Sequence, residues 1–100
     1  MRPFKAVFIS YNQALTERVK AILDRNGARG FTKWELTHGR GSVDGEPHYA
    51  SHAWPAMNSS ILTIVEDEKV KPLLDEFRAM DAETKMQGSR AFVWNIEDQM

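Results

Sequence analysis

Runs with strand character alternate twice with runs of helical period, and that order restricts the fold more than any other feature of this chain. Phe4-Lys5-Ala6-Val7-Phe8-Ile9 is short, β-branched and aromatic, and reads as a strand. Asn12 can cap a helix in which Leu15, Val19, Ile22 and Leu23 recur at helical spacing and Gly27 supplies the stop. Residues 30–37 alternate Thr32, Trp34 and Leu36 with Lys33, Glu35 and Thr37, a second strand. Ile61 to Val65 is a third. Asp67 can cap a second helix whose stripe is Val70, Leu73, Leu74 and Phe77. Pro72 requires either a separate first turn or a helix starting near Pro72 itself. Arg90 to Ile96 is the last strand.

The order is strand–helix–strand twice, with a long connection between the two units. This is the ferredoxin-like α+β arrangement, a four-stranded antiparallel sheet with both helices on one face. One hundred residues make a single domain, 1–100, with a thin core. Helices on one face leave the other bare, and a wet sheet face alternates with polar residues. These strands do not alternate. Ile61 and Val65 are matched by Leu62 and Ile64, and Val93 by Phe92, Trp94 and Ile96. A second copy of the chain is the simplest cover, so a homo-oligomer is expected. Trp34 and Trp94 are expected in the core or at that interface.

Residues 38–58 fit neither period and are expected to be structureless. A connection of that length is usually functional. Charge is uneven as well. Residues 1–40 hold 8 Lys and Arg against 3 Asp and Glu, and residues 41–100 hold 5 against 11, within a total of −1. No global basic field therefore attracts nucleic acid. No apolar run is long enough for a signal segment or membrane span, so a cytoplasmic protein is expected. The absence of cysteine excludes disulfides, thiol catalysis and cysteine-based metal sites.

Several segments together resemble the PII signalling-protein family. Ile61-Leu62-Thr63-Ile64-Val65-Glu66-Asp67-Glu68 is similar to the family's Ile/Val strand and Pro-Asp-Glu helix start. Glu83-Thr84-Lys85-Met86-Gln87-Gly88-Ser89-Arg90-Ala91-Phe92-Val93 is similar to its T-G-K-x-G-D-G-K-I-F-V segment. Gly30-Phe31-Thr32 resembles a G-M-T strand entry, and Gly39-Arg40 the G-R that opens the family's long T-loop. The resemblance implies a non-catalytic regulatory homotrimer that binds adenine nucleotides between subunits and meets a target protein through the loop. It implies nucleotide contacts at Thr32 and Ile64, at Gly39 and Arg40 by the T-loop base, and at Gly88, Ser89 and Arg90 by the phosphates. The chemistry is sound by itself. Glycine beside serine lets backbone N–H groups approach an anion, and arginine adds a fork of donors. ATP, ADP or AMP is the implied effector. Glu97 and Asp98 stand where family members often place two arginines, which favours ADP or AMP over a triphosphate.

A second chemistry sits in the loop. His38, His48 and His52 are the only histidines and accompany Asp44 and Glu46, donors suited to zinc, copper or nickel. That pattern gives an alternative function, a metal-binding trimer similar to CutA. A small dimeric α+β-barrel enzyme is the remaining alternative, although no nucleophile–base motif supports one.

Overall fold

The computed structural model describes residues 3–37, 39–40, 47–48, 57–84 and 87–100. Its main sheet is built from β1 (Phe4–Asn12), β2 (Phe31–Thr37), β5 (Asn58–Glu66) and β6 (Arg90–Asn95), and β3 (Gly39–Arg40) and β4 (Pro47–His48) lie in the connection between β2 and β5. The four main strands take the order β2-β5-β1-β6, every neighbouring pair antiparallel. Helices α1 (Thr16–Arg25) and α2 (Val70–Glu83) form the second layer. Between them and the sheet, Val7, Ile9, Tyr11, Ile61 and Val65 meet Val19, Ile22, Leu23, Leu73, Phe77 and Met80. The ferredoxin-like α+β reading is confirmed. Among the described residues no helix is long and apolar enough to cross a membrane.

The ends of the elements follow local chemistry. Asn12 does cap, its Oδ1 accepting from the Ala14 N–H at 2.9 Å, over a 3-10 turn that leads into α1. Gly27 has φ +74°, and the Gly27 and Ala28 N–H groups donate to the Asp24 and Leu23 carbonyls. Those two bonds close the helix in a Schellman motif, which needs the left-handed residue that glycine supplies. Gly27→Ala is expected to cost about 1–2 kcal/mol through that φ alone, read as a lower urea midpoint with unchanged slope. Pro72 is accommodated by the first of the two expected routes. A separate 3-10 turn at Asp67–Lys69 precedes α2, and Pro72 falls in the first helical turn, where no intrahelical bond is lost.

Four expectations change. The cap of that 3-10 turn falls to Glu66 and not Asp67. Asp67 instead donates its N–H to the Pro3 carbonyl at 3.0 Å and faces Lys5 at 3.6 Å. β1 runs on from Ile9 to Asn12, and β5 starts at Asn58, three residues before Ile61, because Ser10, Tyr11 and Asn12 pair with Ser60, Ser59 and Asn58. The 38–58 connection is not wholly structureless. It contains a two-stranded ribbon of β3 and β4, with Gly39 opposite His48 and Arg40 opposite Pro47. A ribbon of this size has no central strand, so it tolerates a proline that lacks an N–H. Last, of the two places expected for Trp34 and Trp94, the core of this chain is excluded. They are 44% and 48% exposed on the sheet face away from the helices.

One cross-helix tie is set by charge. Arg25 Nε donates to Glu76 Oε1 at 3.0 Å and Asn26 Nδ2 to Glu76 Oε2 at 2.6 Å. Arg25 first, then Asn26, holds the Glu76 carboxyl below the usual carboxylate range. A depressed acid stabilises the fold above its ordinary value, about 4.3, and that contribution fades as pH falls through the lowered one. The stability difference between wild type and Glu76→Gln should therefore shrink on acidification below about pH 4, as urea unfolding across pH would show.

Candidate functional site at the loop end of the sheet

The long connection between β2 and β5 and the turn before β6 meet the sheet at the same end. β2 finishes there at Thr37, opposite Asn58, and Asn58 lies opposite Asn12. One rung further in, Arg90 opens β6 opposite Ser10, which is opposite Ser60, which is opposite Trp34. This row lies on the bare face, and its Arg90, Ser10 and Ser60 are polar where β1, β5 and β6 are otherwise apolar toward the far end of that face. Toward the far end the face presents Phe8, Leu62, Ile64, Phe92 and Trp94, with Ile64 41% and Phe92 58% exposed. Phe8 and Trp34 pack as tilted rings with centroids 6.4 Å apart.

The polar row is internally supported. Thr37 Oγ1 and Ser60 Oγ lie 3.0 Å apart, within hydrogen-bond reach. β2 bulges between Trp34 and Thr37, and the Glu35 carbonyl inside the bulge accepts from Ser59 Oγ and Gln13 Nε2, each at 2.6 Å. Periodicity could not signal these serines as part of a site. The only clue was that Ser10 and Ser59-Ser60 interrupt runs that are otherwise apolar.

The anion-suited segment enters this row directly. Gly88 has φ +63°, a left-handed turn that frees the backbone ahead of β6. Ser89 is buried, and Arg90 is exposed. Arg90 gives one Nη1–H to the Ser89 carbonyl at 2.9 Å and keeps the rest of its five donors uncommitted among the described residues. Chemically, this corner presents a turn and a fixed cation to an incoming oxyanion.

The remaining expected contacts are elsewhere. Thr32 lies opposite Leu62 on β2, at the opposite edge of the sheet from Arg90, three strand spacings away. That is about 14 Å. Ile64 is four residues along β5 from the Ser60 rung, about 13 Å. One copy of the chain thus brings Gly88, Ser89 and Arg90 together and keeps Thr32 and Ile64 apart from them. Gly39 and Arg40 form β3 immediately beyond β2, placed by their backbone alone. His48 lies in β4, and His38 and His52 fall outside the described residues. Among the described residues no three His, Asp or Glu are gathered as for a metal.

Comparison with known proteins agrees with this fold. The family model for nitrogen regulatory protein P-II matches residues 4–100. No curated protein matches the chain by sequence. Among solved structures, the PII-like protein CPII from Thiomonas intermedia, bound to ADP, AMP and bicarbonate, is 25% identical with a TM-score of 0.78. That match covers 94% of this chain and 86% of that one. CPII bound to ADP and bicarbonate is 29% identical, with a TM-score of 0.74 and the same shares covered. A PII-like signalling protein from Thermus thermophilus is 27% identical with a TM-score of 0.67, over 95% of this chain and 88% of that one. The matched model spans both helices, all four sheet strands and the turn that carries Arg90, and the chain belongs to the nitrogen regulatory protein P-II family.

Proposed function

We propose that this chain is a non-catalytic cytoplasmic sensor: a single domain that forms a homotrimer and binds an adenine nucleotide between subunits. In this reading residues 38–58 carry the bound state to a target protein. The observation that carries it is the separation of the expected contacts. Gly88, Ser89 and Arg90 sit at the β6 edge, and Thr32 and Ile64 sit toward the β2 side, each about 16 Å from Arg90 across and along the strands. A ligand that meets both sets is most simply shared by two copies, one offering each edge. The apolar face supports the same assembly, because Phe92, Trp94, Trp34 and Ile64 need a cover and a second copy provides it.

The phosphates face the Gly88 turn and Arg90, where charge-assisted donors converge, and Gly39 and Arg40 stand at the base of the loop they would set. Glu97 and Asp98 follow β6 and are exposed. Their negative charge disfavours a third phosphate, so ADP or AMP is the effector. The CPII complexes that contain ADP, or ADP and AMP, support this choice. Bicarbonate accompanies the nucleotide in both, so titrations belong both with and without it. A thermal-shift series tests the reading. ADP or AMP at 100 times its dissociation constant should add about 2.7 kcal/mol and exceed the shift from equimolar ATP. No shift with any adenine nucleotide at millimolar concentration would remove the sensor reading and leave the fold.

A further inference from the structure

Behind the Gly88–Ser89 turn, on the helix side of the sheet, lies a cavity of about 200 Å³ between α2 and the β6 edge. Ile9, Leu74, Phe77 and Ala91 form its apolar wall and pack on the core layer, and Arg90 also lines it, so the cavity adjoins the polar row. Besides Arg90, three polar groups meet that wall. Ser89 is 6% exposed, and its Oγ has no hydrogen-bond partner among the described residues. A buried hydroxyl in that condition calls for one. Asp81, three residues after Arg78 on α2, has a carboxylate with no partner among the described residues. Arg78 gives one donor to Asp75, Nη1 to Oδ1 at 3.2 Å, and keeps others for a ligand.

We propose that this cavity binds a free α-amino acid with an apolar side chain. A carboxylate with no partner among the described residues and an arginine one helical turn away match the ammonium and carboxylate of one zwitterion. The Ser89 hydroxyl gains its missing partner from the same head group, and the side chain lies on Ile9, Leu74, Phe77 and Ala91. The volume is below the roughly 300–1,000 Å³ of pockets for drug-sized ligands, which fits a small metabolite. A purely apolar ligand would give the buried Ser89 hydroxyl no partner, and a dianion would meet Asp81. The site goes beyond the nucleotide reading and does not require it, although Ser89 and Arg90 border both. Because Ser89 and Arg90 are adjacent, an amino acid held by Ser89 also bears on the turn that presents Arg90.

Calorimetry of the full chain without nucleotide tests the proposal, with L-leucine, L-valine and L-methionine as probes. One-to-one saturable binding is expected for at least one of them. 4-Methylvalerate, which lacks the ammonium, and leucinol, which lacks the carboxylate, should each bind at least tenfold more weakly than leucine. Asp81→Asn keeps the size of a partly exposed side chain outside the apolar core and does not threaten folding; it should weaken binding at least tenfold. Leu74→Trp fills the cavity and should abolish binding with an unchanged circular dichroism spectrum. No heat with any of the three amino acids at 10 mM would overturn the proposal. Binding that survives both substitutions, or that either truncated analogue matches, would overturn it equally.

Discussion

Phe92→Glu is expected to leave each chain folded and to break the assembly into single chains. Phe92 is 58% exposed in one chain, so a carboxylate there meets water and costs the isolated fold little. Covered by a second copy, the same carboxylate is buried beside Phe8 and the other apolar residues of the bare face. Each lost phenyl contact is worth about 1.5–3 kcal/mol, and an unpaired buried charge adds about 3–5 kcal/mol more. The effect recurs in every subunit, so no weakened trimer should persist at micromolar concentration. Light scattering should give about three times 11.4 kDa for wild type and 11.4 kDa for the variant. A wild-type protein that is itself monomeric would contradict the assembly and with it any site shared between copies.

The second large effect lies on the other side of the sheet. Leu73 is 0% exposed, on the stripe of α2 that meets both central strands through the core. Leu73→Ala removes the buried isobutyl contact and leaves a cavity, a change that costs about 2–5 kcal/mol in well-packed cores. For a domain of this size each kcal/mol is about 4–8 °C in Tm, so a drop of at least roughly 8 °C is expected at matched protein concentration. The same substitution at the partly buried Leu74 should cost less, since its wall of the cavity is already open. Equal losses at the two positions would mean that the helix packs on the sheet differently.

Where a residue's role depends on its own neighbours in sequence, the chain is readable. Val19, Ile22 and Leu23 share a face because helical geometry stacks them, and Gly27 stops the helix because only a left-handed residue closes it there. That both sheet faces are apolar was legible for the same reason, since strand alternation sets Leu62 and Ile64 against Ile61 and Val65, and Phe92 and Trp94 against Val93. Polar pairing was not legible. Asn58, Ser59 and Ser60 read as loop until β1 supplied their partners, and the Gly39–Arg40 ribbon needed Pro47 and His48, seven or more residues away. The site divides in the same manner. Gly88, Ser89 and Arg90 are contiguous and stayed together, whereas their distance from Thr32 and Ile64 depends on strand order. The cavity between α2 and β6 had no sequence signal, because Asp81 and Ser89 come from different elements. Family resemblance suggested the nucleotide contacts, and the strand order spreads them across the sheet of one chain.

Calorimetric titration of ADP into wild type and into Arg90→Ala tests the central claim most directly. A charge-assisted contact to phosphate contributes roughly 1.5–3 kcal/mol, which is about a 10- to 150-fold change in dissociation constant. Saturable binding to wild type is predicted, weakened by that factor in Arg90→Ala, with an unchanged assembly mass by light scattering. Absence of binding to wild type at millimolar ADP, or an Arg90→Ala protein that binds as tightly as wild type, would contradict it.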